Sequence, residues 1–437
     1  MPCESTVQVE NTLTATSDLL RRDRGIPGFE TILDTARLLA GLSNQLDIGL
    51  VNDINLNYLR YKPGTNCLAR YELKTPDGTI CAYAKAHGQD AVIKTKKSRA
   101  RPVIDNILGP GRVVLNDQQI IFSTFPNDAK LFNLQCLSDP NYRRRLLTRV
   151  FGADSQWRES ALDESLNYKP ERRYVTRLKR PDGQFALAKF YTNSGYTKAH
   201  TISRKLNRSR FAYCPETLGR STKYNVVAYR WQPGTTLRQL NTTGNLSSAD
   251  LVATARALAE FHASSCDGLT HPDTAIQTAR LDALADQLEI LLPHLAIRAK
   301  TVAQKLTHWL NNQPKMSQPI HGDFYDKQAI VDNTRVKLID LDAACLGNPL
   351  LDLGSYIAHL ERLGGSHTMS NTEIESQSNT LVSAYEQLTS DFRRDQLNPF
   401  IAFGLFALIH HPFRDWSPDW PAQTEFLLER VESLLDS

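Results

Sequence analysis

Five carboxylates fall within His321 to Asp342, a stretch reading HGDFYDKQAIVDNTRVKLIDLD, and they are interleaved with apolar residues that alternate as in short strands. Ala329–Val331 and Val336–Leu341 read as two strands, and Asp332-Asn333-Thr334 between them has the composition of a hairpin turn. Such a hairpin brings Gln328 and Asp340 back toward each other. On a strand, side chains change face at every residue, so Asp340 and Asp342 are expected on one side, roughly 6.5 to 7 Å apart. Two carboxylates that close repel and lose hydration unless a cation sits with them. Hard oxygen ligands plus an amide carbonyl suit Mg²⁺, and no His or Cys cluster competes for another metal. Asp323 lies in a loop opening with His-Gly, five residues before Gln328. That spacing lets one carboxylate face a hydroxyl while the amide reaches a metal.

Further on, Gly347-Asn348-Pro349-Leu350-Leu351-Asp352-Leu353 follows the acids. Together, His321, Gly322, Asp323, Ile339, Asp340, Gly347, Pro349, Asp352 and Leu353 resemble the motif HGDxxxxN, hairpin, IDxxxxxxGDPxxDL. This is the signature of the kinase-like phosphotransferases that include aminoglycoside phosphotransferases, choline kinases and maltokinases. Gln328 stands where that family usually has Asn, and Asn348 replaces the Asp of GDP. The resemblance implies that Asp323 is the catalytic base or hydroxyl-orienting acid, that Gln328 and Asp340 hold Mg²⁺, and that Asp342 is a second acid near the metal. It also implies ATP or GTP as phosphate donor and a small-molecule hydroxyl as acceptor. Asp352, at the start of a helix, is expected to accept bonds from the loop that carries His321.

The elements that must position these residues begin upstream. LNYKPERRYVTRLKRPDGQFALAKFY, from Leu166, reads as a hairpin followed by a strand closing on Ala188-Lys189. LRYKPGTNCLARYELKTPDGTICAYAKA, from Leu59, has the same design and closes on Ala84-Lys85. Both run Tyr-Lys-Pro, a strand, Pro-Asp-Gly, and a strand ending in Ala-Lys, an internal repeat whose two copies lie about a hundred residues apart. By the resemblance, Lys189 is the phosphate-binding lysine. The same resemblance implies that the strand Tyr224–Trp231 and the turn after it form the hinge between the lobes, so that Ala228, Tyr229, Arg230 and Trp231 are expected to contact the nucleotide base.

Kinase-like enzymes usually hold this lysine with a Glu from the next helix, yet Tyr191–Tyr213 contains no acid and carries Lys198, His200, Arg204, Lys205, Arg208 and Arg210. Glu216 is one candidate substitute; the alternative is that the basic helix contacts an anion itself. His262, in a helix expected over Ser247–Ser265, reads as a packed, hydrogen-bonded histidine. His359, Glu361, Arg362 and the group His411, Phe413, Arg414, Asp415, Trp416 and Trp420 are candidates for an acceptor pocket, although packing of a terminal helix pair explains the aromatics equally well.

The expected fold is therefore α+β: a kinase-like bilobal chain with an antiparallel-sheet N-lobe, a mostly helical C-lobe and a second N-lobe-like domain ahead of them. The expected boundaries are a disordered tail over 1–25, an accessory lobe over 26–138, a linker helix over 139–165, an N-lobe over 166–232 and a catalytic C-lobe over 233–437. Phe29–Leu46 reads as one amphipathic helix. The basic run Lys94, Lys96, Lys97, Arg99, Arg101 reads either as a solvated face of the accessory lobe or as part of a cap over the active site, like the cap of maltokinases.

The 437 residues are 41% hydrophobic, enough for substantial cores. A net charge of +4, from 51 basic and 47 acidic residues, points to neither nucleic acid nor membrane as partner. The N-terminus lacks the pattern of a signal peptide. Seven scattered cysteines without C-x-x-C read as reduced thiols of a cytoplasmic protein. Two rival functions use the same residues: a nucleotide-binding pseudokinase, suggested by Gln328, Asn348 and the missing helix glutamate, and a metal-dependent phosphohydrolase built on the acids alone.

Overall fold

The computed structural model describes residues 4–89, 91–209, 214–265, 268–333, 335–390 and 392–437. Cys3, Arg210, Cys266 and Thr334, singled out from sequence, lie outside the described residues. The chain divides into two compact units, residues 1–196, 219–228 and 411–421 in the first, and 197–218, 229–410 and 422–437 in the second.

The first unit opens with helix α1 (Glu4–Arg22), where a disordered tail was expected. Its apolar content is sparse, but Leu19 is fully buried, Asp18 pairs with Arg21 and Arg22 one turn on, and the Trp420 indole donates to Thr16 Oγ1 at 3.4 Å. The single helix expected over Phe29–Leu46 is instead two, α2 (Phe29–Leu33) and α3 (Thr35–Leu42). Asp34 breaks them: its backbone is extended and its carboxylate accepts from the Arg37 N–H at 3.0 Å, capping α3.

An antiparallel sheet follows, built from β1 (Asp53–Lys62), β2 (Asn66–Thr75), β3 (Gly78–His87), β4 (Arg112–Leu115) and β5 (Ile120–Thr124) in the order β1-β2-β3-β5-β4, with α4 (Ala91–Arg99) between β3 and β4. The expected linker helix is shorter than 139–165. Helix α5 (Pro140–Phe151) starts at an Asp139 cap with Pro140 in its first turn and stops at Gly152, and the next strand begins at residue 161.

The second sheet contains β6 (Ala161–Lys169), β7 (Arg173–Lys179), β8 (Phe185–Tyr191), β9 (Thr217–Ser221) and β10 (Val226–Arg230), ordered β6-β7-β8-β10-β9. Near its first hairpin turn and along the next strand pair its registers match those of the first, before irregularities in β6 shift the pairing from Ser165 on. Tyr61 pairs with Cys67 as Tyr168 pairs with Tyr174, and Leu68 faces Lys85 as Val175 faces Lys189. Each first hairpin is clasped by an aspartate: Asp23 accepts from the Tyr61 hydroxyl at 2.6 Å and the Gly64 N–H at 2.8 Å, and Asp128 from the Tyr168 hydroxyl at 2.8 Å and the Glu171 N–H at 2.7 Å.

Residues 411–421 also belong to this first unit. Phe413 lies 6.0 Å from Tyr61 and 5.0 Å from Trp420, ring centre to ring centre, and both Phe413 and Trp420 are buried. These aromatics are core packing, not pocket lining. Helix α6 (Asn193–Ser209) begins in the first unit and continues into the second.

The second unit is mainly helical. It contains α7 (Leu237–Thr242), α8 (Ser248–Ala263), α9 (Thr274–Leu291), α10 (Ala296–Asn311), α11 (Leu350–Gly365), α12 (Asn371–Leu388) and α13 (Leu397–Leu408), plus most of a C-terminal helix, Trp420–Asp436. Helices α7, α8 and α12 start in reciprocal capping boxes, Thr236 with Gln239, Ser247 with Asp250 and Ser370 with Glu373. Gly354 and Gly404 let α11 and α13 come close, since a Cβ on Gly354 would stand 2.6 Å from the Phe400 carbonyl carbon and one on Gly404 2.9 Å from Ala358 Cβ. Two small sheets complete the unit. One joins β11 (Thr235–Thr236), β13 (Ala329–Asp332) and β14 (Arg335–Leu338), the other β12 (Gln318–Ile320) and β15 (Cys345–Gly347). No helix among the described residues is long and apolar enough to cross a membrane. Cys67, Cys81, Cys136 and Cys345 are free thiols.

Candidate active site

Strand β12 delivers the chain into His321-Gly322-Asp323, its last residue Ile320 paired with Cys345. Gly322 has φ +76°, and a Cβ there would meet the Ala343 carbonyl oxygen at 2.5 Å, so both conformation and space demand glycine. The His321 ring is fully buried and its Nε2 donates to the Ile339 carbonyl at 2.8 Å. On either side of this anchor the backbone is gripped by Asp352, whose carboxylate accepts from His321 N–H at 2.6 Å and Gly322 N–H at 2.8 Å. Asp352 sits in the first turn of α11, as the sequence reading places it.

A third donor reaches the same carboxylate: His262 Nε2 at 3.0 Å, with the other ring nitrogen 2.8 Å from the Tyr385 hydroxyl. A carboxylate can only accept, so Nε2 carries the proton, and the Tyr385 hydroxyl, its pKa pushed up by burial, donates to Nδ1. Burial works to raise the Asp352 carboxyl, but the hydrogen bond from His262, the His262 and His321 rings beside it and the His321 N–H hold it below the usual carboxylate value. His262 is thus the packed helix histidine expected, with a support role through Asp352. Asp323 itself follows Gly322 on the exposed side of the loop, while its neighbour Phe324 is fully buried and stacked on Tyr356.

The hairpin forms as expected over its paired residues, Ala329 facing Leu338 and Asp332 facing Arg335. It brings Gln328 and Asp340 into neighbouring backbone positions, since the Gln328 carbonyl accepts from the Ile339 N–H at 2.8 Å. The Gln328 residue is 4% exposed, and its side-chain amide makes no hydrogen bond to any described residue. Its amide oxygen is a hard donor of the kind a divalent cation takes.

Asp340 and Asp342 do not share a strand face. The strand stops at Leu338, Asp340 is left-handed with φ 59° and ψ 41°, and Asp342 lies in the helical turn Leu341–Ala343. The reason is the His321 ring, which takes the Ile339 carbonyl that strand pairing would otherwise use; Asp tolerates the left-handed bend that follows. Among the described residues no group of three or more His, Cys, Asp and Glu side chains is placed to hold a metal ion.

Sequence reasoning missed one charged pair. Arg238, in α7, forms a two-pronged bond with Asp326, three residues after Asp323, and its N–H donates to the Asp326 carbonyl at 3.1 Å. Asp326 is 2% exposed, and a buried carboxylate requires such a partner, but nothing local in the sequence says which arginine supplies it. Of the candidate acceptor residues, His359 stacks on Tyr325 with ring centres 4.2 Å apart, and Glu361 is taken up by Arg430 at 2.7 and 3.0 Å.

Lys189 and Ala228 belong to the first unit; Tyr229, Arg230, Trp231, Asp323, Gln328, Asp340 and Asp342 belong to the second. Lys189 lies on β8 opposite Val175 and is 5% exposed. Ala228 is fully buried, while the exposed Arg230 pairs with Glu216 at 2.7 Å and donates its N–H to the Glu216 carbonyl at 2.8 Å. A cavity of about 580 Å³ in the second unit, lined in part by Lys305, His308, Trp309 and Asp395, contains none of the predicted site residues.

The loop, hairpin and supporting aspartate lie within residues 165–393, and these residues match the sequence model of the phosphotransferase enzyme family (APH). The match spans just over half of the chain, and the chain belongs to that family. Among solved structures it is similar to a choline/ethanolamine kinase family protein from Mesorhizobium loti, at 15% identity and a TM-score of 0.49, covering 69% of this chain and 95% of that one. It is similar also to a thermostable mutant of aminoglycoside phosphotransferase APH(4)-Ia in ternary complex with AMP-PNP and hygromycin B, at 15% identity and a TM-score of 0.46, covering 63% and 94%. Choline kinase LicA from Streptococcus pneumoniae gives 13% identity and a TM-score of 0.45, covering 62% and 92%. No curated protein matches the chain by sequence.

Proposed function

We propose that the chain is a small-molecule kinase that moves the γ-phosphate of ATP or GTP, in a Mg²⁺-dependent reaction, to a hydroxyl of a sugar, amino sugar or amino alcohol. The observation that carries this reading is the loop itself: an exposed Asp323 held between two buried anchors, inside the segment that matches a phosphotransferase family. In this reading Asp323 accepts a hydrogen bond from the acceptor hydroxyl and orients its oxygen. That oxygen bonds to the γ-phosphorus as the bond to the β–γ bridging oxygen breaks. The hydroxyl proton passes to Asp323, and the nucleoside diphosphate leaves. Lys189 binds phosphate oxygens, and backbone groups of Ala228, Tyr229, Arg230 and Trp231 contact the base. Gln328 and Asp340 would hold Mg²⁺, with Asp342 a second acid nearby; when bound, the ion neutralises charge on the phosphates.

We further read residues 26–138 as an accessory copy of the N-lobe formed by residues 166–232, with the catalytic lobe following from 233. Equal strand order, matching registers and the paired aspartate clasps support that assignment.

The test is release of nucleoside diphosphate across a panel of hydroxyl compounds, with wild type and Asp323→Asn. The variant is expected to keep nucleotide affinity and lose turnover on the order of a thousandfold, about 4 kcal/mol of barrier. An unchanged rate rejects the role of Asp323. Tight nucleotide binding without turnover on any compound supports a nucleotide-binding regulator, and release of phosphate without any acceptor supports a phosphohydrolase.

A further inference from the structure

The lysine that the first sheet carries at the register position of Lys189 is Lys85, and it is engaged by the second sheet. Its ammonium lies 3.0 and 2.8 Å from the two carboxylate oxygens of Glu171, in the turn between β6 and β7. Arg60 adds a bond to the same carboxylate at 2.7 Å and one to the Pro170 carbonyl at 3.1 Å, while Lys130 stands 3.7 Å away. Glu171 is 4% exposed and left-handed at φ 57°, with its own N–H held by Asp128. Three residue pairs join this turn to the lysine of the second sheet: Arg173 with Tyr191, Tyr174 with Phe190, and Val175 with Lys189. All of these residues lie in the first unit.

The matching turn of the first sheet has Gly64 where the second has Glu171, clasped by Asp23 as Glu171 is by Asp128, and so sends out no carboxylate. The carboxylate is therefore not a feature of the repeat but an addition to one copy of it. Against Lys85 it stands where an anion would.

We propose that Glu171 is a positioning residue for the nucleotide. Lys85 and Arg60, both upstream of the family-matched segment, grip it and so fix the hairpin turn that lies along the strand from Lys189. This rests on the phosphotransferase reading, in which the turn nearest the phosphate-binding lysine lies over the phosphates. The first sheet, its lysine taken by Glu171, binds no nucleotide of its own. Its role is to hold the turn of its neighbour still.

The experiment is calorimetric titration of the full chain with ATP and Mg²⁺, without acceptor, for wild type, Glu171→Gln, Lys85→Met and Lys85→Arg, each checked by circular dichroism and thermal melting. Wild type is expected to bind one nucleotide per chain. Glu171→Gln and Lys85→Met are expected to weaken binding on the order of ten- to a hundredfold, a misplacement effect, while Lys85→Arg keeps most of it. In steady-state assays the loss should appear in KM for ATP more than in kcat, a split that a loss of stability alone does not produce. Should Lys85→Met not fold, the double variant Lys85→Met/Glu171→Gln removes both charges and carries the same test. Folded variants with wild-type affinity, or two nucleotides per wild-type chain, overturn the inference alone. A wild-type chain that binds neither ATP nor, in the same titration, GTP overturns the phosphotransferase reading and this inference with it.

Discussion

Replacing Asp352 with Asn changes no volume and removes one charge, yet the structure makes it costly. The carboxylate takes three donors, the N–H groups of His321 and Gly322 and the Nε2–H of His262, and is itself fully buried. An amide keeps one oxygen to accept with, and its NH₂ then points at a donor, leaving at least one buried N–H without a partner. Each such loss is worth about 1 to 3 kcal/mol, and breaking the buried pair with His262 brings the total to about 3 to 5 kcal/mol. In a helical unit of this size that lowers the melting temperature by roughly 6 to 20 °C. The pH dependence is fixed by the same contacts. Because the folded carboxyl is held below its ordinary value of 3.8, its contribution is complete above that value and drains away as pH falls through the lower folded value. Wild type and variant should therefore differ by a constant margin from neutrality down to about pH 5 and converge only in stronger acid. Thermal unfolding followed by circular dichroism from pH 7 to pH 2 measures this. A variant within 1 kcal/mol of wild type at pH 7, or a margin that closes near pH 6, refutes the reasoning.

Gly322→Ala meets both a left-handed backbone, costing about 1 to 2 kcal/mol, and the Ala343 carbonyl at 2.5 Å. Turnover should fall by more than tenfold while nucleotide affinity is retained, as read by initial rates beside a binding titration. Arg238→Met leaves the Asp326 carboxylate buried without its partner and should destabilise by about 3 to 5 kcal/mol, whereas the double variant Arg238→Met/Asp326→Leu should recover most of that loss in urea unfolding. Equal loss in single and double variants would show that the pair acts through shape alone.

What the sequence made legible was local. The Tyr-Lys-Pro and Pro-Asp-Gly turns, the Ala-Lys strand ends and the 329–338 hairpin follow from alternation and turn chemistry, and the structure pairs them in the expected order. Asp352 was readable as the support of the loop because its place at a helix start after Pro349 gives a carboxylate little else to do. Failures came where a distant group decided the outcome. The bend at Asp340 depends on His321 taking the Ile339 carbonyl, a contact 18 residues apart that periodicity cannot reveal. Helix α1 is stabilised in part by Trp420, 404 residues away, which no local window includes. The partners of Asp326 and Glu171 are equally remote, and burial rather than spacing selects them.

The return of residues 411–421 to the first unit has a practical outcome. The polypeptide passes from one unit to the other five times, after residues 196, 218, 228, 410 and 421, so no single cut releases either half as one continuous piece. An expression fragment trimmed to residues 165–393 would discard Phe413 and Trp420 along with Tyr61, Lys85 and Asp23. It would leave Glu171 a charged orphan on a raw surface. Truncation to the family-matched segment would instead remove parts of both units at once.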